Sequence, residues 1–432
     1  MASVIINSAC NLQCPFCFAT ESRNAEGHSI NNMSKDEFHK ILKFDSNIVT
    51  TICGGEPTIH PEFCDFMDSM LAVRGKYINV LTNGLWPEKV CNYFSSLPFE
   101  KSKRIIYLFN ILQPEEYTEA QVEKLHAALG SVNPETAFVG FTIYKYPFDY
   151  SYIFDIAKKF GINHIRYSVA APNVTDQSSW NIDPDKDFRE CAKVVYNFVM
   201  DASKQGFEVN PDCGYLPPCA YTKEELADLL LVQPGVKFKC SAVTDIGKDG
   251  ESWRCYSLYS VLRSNMENFQ NINEMAEYFN KRSELLLDID LFDKCKDCQY
   301  KISGICHGGC FGYRIIKGLK EDENYNFFPI DDEEALMNCI PVINKKVLKI
   351  WKKNKQDEPL VYLRDEWKLQ TRLLNFDEFL NDFIEACSGK ESVAQIIDKL
   401  TMSYGDRERC RNNVIQAVNN LFQQNALKIT RS

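Results

Sequence analysis

The chain has 432 residues, roughly two to three times the usual single-domain length, which excludes a peptide hormone or a lone small binding module and leaves room for several domains. Hydrophobic residues at 45% and charged residues at 25% are an ordinary globular balance, which excludes wholesale disorder. With 49 basic against 59 acidic side chains the net charge is -10, which disfavours nucleic acid and anionic membrane surfaces as partners. The N-terminus, MASVIINSACNLQCPF, lacks the basic start and long apolar run of a signal peptide, and no uncharged run reaches the length of a membrane span. A cytoplasmic protein is expected.

From the N-terminus, residues 3–6, 48–52, 78–82, 104–109, 137–143 and 164–169 read as short buried strands, with helices over 34–44 (opened by Ser34) and 61–73 between the first of them. Six strand–helix repeats imply an α/β fold with a parallel sheet, either doubly wound or a partial TIM-type barrel, whose chemistry lies in loops at the strand C-termini. Residues 207–345 are irregular and hold nine of the eighteen cysteines, so metal is expected to substitute for core there. A polar helix or linker follows over 346–358. In the last segment, 359–432, Phe376, Phe379, Leu380, Phe383, Ile384 and Cys387 form a helical stripe closed by Gly389. A helix capped by Ser392 and a third helix through Val414–Phe422 precede a short apolar end, a pattern that suggests a winged-helix-like α+β domain.

Cys10, Cys14 and Cys17 form C-x-x-x-C-x-x-C directly after the first strand. In a reducing compartment clustered thiols mean metal more often than disulfide. Three thiolates on one loop suit three irons of a 4Fe-4S cube, leaving the fourth iron open to an external chelator; zinc completed by a remote fourth ligand is the competing assignment.

CNLQCPFC, with Phe16 as the aromatic, resembles the signature of the radical S-adenosylmethionine (SAM) superfamily, and Gly54-Gly55-Glu56-Pro57 after the second strand resembles its GGEP motif. The resemblance implies a partial (β/α)6 barrel over 1–206 that binds a 4Fe-4S cluster and SAM. The methionyl amino group would meet backbone carbonyls and Glu56, because glycines permit close approach and a carboxylate complements an ammonium. It further implies nucleoside contact at Asn83, which otherwise makes a turn with Gly84, and a SAM-carboxylate partner in Arg166, which otherwise forms an ion pair. The serine and aspartate usual after strand four are absent around Asn110.

Cys240 and Cys255, then Cys295, Cys298, Cys306, Cys310 and Cys339, resemble the SPASM extension, with seven residues rather than the usual five between Cys298 and Cys306. Carried over, Cys240, Cys255 and Cys310 hold one auxiliary 4Fe-4S cluster and Cys295, Cys298, Cys306 and Cys339 a second, for three clusters in all. Cys213 or Cys219 would complete the first auxiliary cluster, with Cys219 favoured by its shorter loop to Cys240. His307 is expected to face its loop rather than bind iron, and Cys53, Cys64, Cys91, Cys191, Cys387 and Cys410 to be buried hydrophobes.

The last segment, containing SVAQIIDKL, resembles the PqqD-like peptide-recognition domain, which adds a leader peptide to its sheet edge. Packing or dimerisation alone is the other use of such a domain. The combined resemblance implies an oxidoreductase that abstracts hydrogen from a ribosomally made precursor peptide and cross-links or otherwise oxidises it, served by a flavodoxin- or ferredoxin-type electron donor. A sulfatase-maturase-like or small-molecule oxidase, and a non-catalytic iron–sulfur carrier or peptide scaffold, are the alternatives.

Overall fold

The computed structural model describes residues 2–25, 31–174, 182–214, 216–240, 243–321, 325–326, 336–344, 348–351, 360–365, 370–373, 378–423 and 426–431. Two compact units result. The first comprises Met1–Asn280, Leu291–Lys296 and Ile305–Tyr313; the second comprises Lys281–Asp290, Asp297–Gly304 and Arg314–Ser432.

In the first unit, β1 (Ala2–Ile5), β2 (Val49–Cys53), β3 (Tyr77–Thr82), β4 (Ile105–Asn110), β5 (Ala137–Ile143), β6 (His164–Val169) and β7 (Glu208–Pro211) lie side by side in chain order, every pair parallel. A doubly wound sheet would reverse direction at a switch point; unbroken sequential order is that of a barrel wound one way. Beside β1 the sheet continues through β8 (Thr244–Ile246), parallel to β1, and the antiparallel β9 (Glu251–Trp253) and β10 (Arg263–Asn265). Part of the cysteine-rich stretch expected to be irregular therefore adds strands to the same sheet.

Local signals explain the crossovers. Helix Lys35–Phe44 begins at Ser34, whose hydroxyl accepts from the Glu37 N–H while Glu37 accepts from the Ser34 N–H, and it buries Phe38 and Ile41, one turn apart. Helix Phe63–Ala72 buries Phe66, Met67 and Met70, and Phe66 stacks on Phe38 at 4.2 Å. The loops after the strand C-termini are left to form the site.

The second unit pairs β12 (Cys339–Ile343) and β11 (Tyr325–Asn326) with either side of the C-terminal strand, and joins β13 (Leu348–Trp351), β14 (Leu360–Asp365) and β15 (Gln370–Leu373) in a separate antiparallel sheet. Helices Glu378–Ala386, Val393–Tyr404 and Arg407–Gln423 precede β16 (Leu427–Arg431). Ser392 caps the middle helix as expected, in a reciprocal box with Gln395. Phe383, Val393, Ile396, Val414 and Val418 form the core with Leu336, Cys339 and Leu348. Two expectations change here. Leu348–Trp351 is a strand within the stretch read as helix or linker, since pairing with β14 satisfies its backbone, and β12 belongs with β16 rather than with the cysteine-rich segment alone. Residues 345–347 and 352–359 and Phe376 lie outside the described residues.

Candidate functional site

The site is built on three adjacent strand ends. After β1, the loop bearing Cys10, Cys14 and Cys17 turns back on itself, the Cys17 N–H donating to the Cys14 carbonyl at 3.1 Å. The three sulfurs share one electrostatic neighbourhood. Burial first, then Cys17 and Cys10, push the Cys14 thiol up to about 12; burial also raises Cys10, with Glu56 and Cys17 adding to it and Arg23 opposing it. Among the described residues no three His, Cys, Asp or Glu side chains converge as one metal ion requires. A cube that takes one thiolate per iron has no such requirement, and its positive irons would draw these thiols into the thiolate form. The donor set fits a 4Fe-4S cluster.

After β2, Gly54 and Gly55 pack directly on the cysteine loop. A Cβ on Gly54 would lie 2.1 Å from Asn7 Oδ1, and one on Gly55 would lie 2.2 Å from the Ala9 carbonyl oxygen. The Gly55 N–H donates to the Asn7 carbonyl at 2.9 Å and the Glu56 N–H to that of Ala9 at 2.7 Å. Only glycine allows backbone to approach backbone this closely. Glu56 is 0% exposed: Oε1 accepts from the Thr58 N–H (3.1 Å), Thr58 Oγ1 (2.6 Å) and Thr82 Oγ1 (2.8 Å), and Oε2 from the Asn83 N–H (2.7 Å). Burial raises its pKa against these donors. Pro57 starts the short turn Pro57–Ile59, where its missing N–H costs nothing.

After β3, Asn83 donates to Asn11 Oδ1 at 2.8 Å and lies 3.7 Å from the Cys10 sulfur, while Asn11 donates to the Leu85 carbonyl. Strand-end loops one, two and three are thus hydrogen-bonded into one piece. Phe16 is buried against Tyr144, ring centroids 4.6 Å apart, and Tyr144 donates to Glu116 at 2.7 Å. Arg166 on β6 pairs with Asp212 beyond β7. A small cleft beside the cysteine loop is lined by Asn7, Ser8, Arg23, Gly55 and Lys248, among others. Its cations Arg23 and Lys248 escape a sequence reading because neither stands in a motif.

A second sulfur group lies in the same unit. Burial drives the Cys213 and Cys255 thiols well above their ordinary value; Cys213 is raised further by Asp212, Cys255, Cys240 and Cys310, and Cys255 by Cys240 and Cys310. Cys213 keeps accessible surface but is held in place by Gly214, whose φ is +75° and whose Cβ would lie 1.8 Å from the Val169 carbonyl oxygen. Cys219, exposed like Cys213, stands in the turn Pro218–Ala220. Loop length favours Cys219; Cys213, whose carbonyl accepts from the Val169 N–H at the β6 end, lies in the field of the other three.

Cys295 and Cys306 are buried in the first unit, where Cys306 accepts from the Gly308 N–H at 3.0 Å and its neighbour His307 stacks on Phe311. In the second unit, Cys298 precedes helix Gln299–Ile302 and Cys339 lies in the apolar core. Cys53, Cys191, Cys387 and Cys410 are buried as expected, whereas Cys64 and Cys91 are only half-buried because they sit at the margins of their helices' buried stripes.

Residues 4–102 match the model of the Radical SAM superfamily, so the chain contains a radical SAM domain of an enzyme superfamily that uses a 4Fe-4S cluster and SAM. A probable GTP 3',8-cyclase of Methanocaldococcus jannaschii is 30% identical over 120 residues, 26% of this chain and 37% of that protein. A tungsten-containing aldehyde ferredoxin oxidoreductase cofactor-modifying protein of Pyrococcus furiosus is 38% identical over 84 residues, 18% of this chain and 22% of that protein. The chain thus spans well under half the length of either curated relative. The fold is similar to that of Streptococcus suis SuiB bound to its precursor peptide SuiA (TM-score 0.50, 14% identity, 74% of this chain and 73% of that one). The structure of SuiB bound to S-adenosylmethionine aligns with a TM-score of 0.49 at 13% identity over 74% of each chain. Among the described residues no helix is long and apolar enough to cross a membrane.

Proposed function

We propose that the chain is a radical SAM peptide maturase with SPASM-type auxiliary clusters and a C-terminal peptide-recognition domain. The observation that carries the reading is the interlock of the Cys10–Cys17 loop with Gly54-Gly55-Glu56 and Asn83 at the ends of parallel strands. When bound, the cluster and SAM supply a 5′-deoxyadenosyl radical that removes hydrogen from an unactivated carbon. Cys10, Cys14 and Cys17 would hold that cluster. The Gly54 and Gly55 backbone and the Glu56 carboxylate would orient the methionyl end, Asn83 the nucleoside, and Phe16 packed on Tyr144 would keep water from the cube.

For one auxiliary cluster we take Cys240, Cys255 and Cys310 with Cys213 as the fourth ligand, on the field it shares with them, Cys219 being the alternative. Cys295, Cys298, Cys306 and Cys339 remain the proposed ligands of the other on the resemblance to the SPASM extension. The precursor-peptide assignment is supported by the likeness in fold to SuiB and by the helices and antiparallel strands of the last segment, which we read as a winged-helix-like domain that takes a peptide by strand addition. The kinship with a GTP cyclase favours a second reading, a small-molecule oxidase.

Anaerobically reconstituted protein reduced with dithionite should form 5′-deoxyadenosine from SAM, and the Cys10, Cys14, Cys17→Ala triple variant should form none. With a short precursor peptide encoded beside this gene, mass spectrometry should show loss of hydrogen from the peptide. SAM cleavage that persists in the triple variant rejects the cluster assignment. Cleavage uncoupled from any peptide change favours the small-molecule reading.

A further inference from the structure

Arg254 stands immediately before Cys255 and is 3% exposed. A guanidinium keeps its proton at any ordinary pH, so a buried one has to be met by acceptors or anions. Its Nη1 lies 3.5 Å from the Val243 carbonyl oxygen, and while burial raises the Cys240 thiol, the Arg254 charge and a side-chain hydrogen bond from it oppose that rise. The Asp245 carboxyl, 4% exposed, lies in its field, as does the Cys255 sulfur. These positions are set by the sheet: Asp245 is on β8, opposite Trp253 on β9, and Arg254 is the next residue along. The cation is therefore held against two of the four grouped sulfurs by backbone pairing rather than by a free loop.

We propose that Arg254 is a positioning residue that sets the reduction potential of the iron–sulfur cluster held by Cys213, Cys240, Cys255 and Cys310, an inference that rests on the auxiliary-cluster reading above. One electron from an external donor adds one negative charge to such a cluster, spread over its sulfurs, and no bond is made or broken. A buried cation with an N–H···S bond to a ligating sulfur stabilises the reduced form and raises the potential.

The test is a dithionite titration of the anaerobically reconstituted full chain, followed by electron paramagnetic resonance, for wild type, Arg254→Gln and Arg254→Lys, with iron counted in each. Three 4Fe-4S clusters bring about twelve irons per chain. One midpoint should fall in Arg254→Gln by a tenfold change in the reduced-to-oxidised ratio, about 59 mV for a one-electron couple. Arg254→Lys, which keeps the charge but not the fork, should fall by less. Unmoved midpoints with iron retained overturn the role of Arg254 and leave the cluster reading standing. Loss of iron in both variants rejects the tuning role in favour of a structural one, and if only Arg254→Gln loses iron, Arg254→Lys against wild type decides by the same criterion. About four irons per wild-type chain overturns both readings.

Discussion

Glu56 shows how one side chain serves both architecture and chemistry. Its two oxygens take four hydrogen bonds from Thr58, Thr82 and Asn83, so its removal strands donors inside the protein as well as taking a carboxylate from the proposed SAM site. Glu56→Ala should weaken SAM binding by roughly 1.5 to 3 kcal/mol and lower the stability of the metal-free protein by at least about 1 kcal/mol. Calorimetric titration with SAM and urea unfolding measure the two; unchanged affinity would contradict the SAM contact. His60, three residues beyond Pro57, has Nε2 3.1 Å from the Met33 carbonyl oxygen while Nδ1 accepts from the Glu62 N–H at 3.0 Å, an arrangement only the neutral ring can make. Burial lowers its pKa. The folded state then holds fewer protons than the unfolded state once the pH falls through about 6.5, so stability declines with falling pH in that window. Urea midpoints measured between pH 7.5 and pH 5.5, values on the order of one unit either side of that ordinary imidazole pKa, should show the decline in wild type and a flatter line in His60→Gln.

Between elements, the decisive contact is the glycine pair after β2 against the loop after β1. Adding a Cβ at Gly55 drives it into the Ala9 carbonyl, and backbone on both sides leaves no flexible side chain to yield. Gly55→Ala should cost about 1 to 3 kcal/mol and displace the cysteine loop. Its signature is selective: iron at the first cluster should fall while iron at the auxiliary sites is retained. An equal loss at every site would instead mean general unfolding.

Across the whole molecule, the pairing of β12 with β16 changes how leader recognition has to be tested. Removing residues 359–432 takes away the strand that pairs Cys339–Ile343 and most of the core around Cys339 and Leu348. Such a truncation should lose iron and aggregate irrespective of any peptide role. Scrambling the leader of the precursor leaves the enzyme intact, and it should sharply reduce peptide turnover while SAM cleavage without peptide is preserved. Turnover insensitive to the scramble rejects leader recognition.

Spacing and period along the chain determined the strands and the first site. The six predicted strands agree with β1 to β6 within a residue at either end, and the cysteine loop and GGEP motif can be read directly because each lies within a few residues of a strand end. Six strand–helix repeats left the winding open, since a doubly wound sheet and a partial barrel share that pattern; only the side-by-side order of β1 to β7 chose the barrel. The sequence already set Cys240, Cys255 and Cys310 together with Cys213 or Cys219 beside them, whereas the field of Arg254 on a sulfur fourteen residues earlier in the sequence and the union of β12 with β16 required the folded chain. Local spacing carries torsional preference and burial period, whereas these contacts join segments whose separation along the chain says nothing about their distance in space; the sheet, by pairing strands that are remote in sequence, sets that distance.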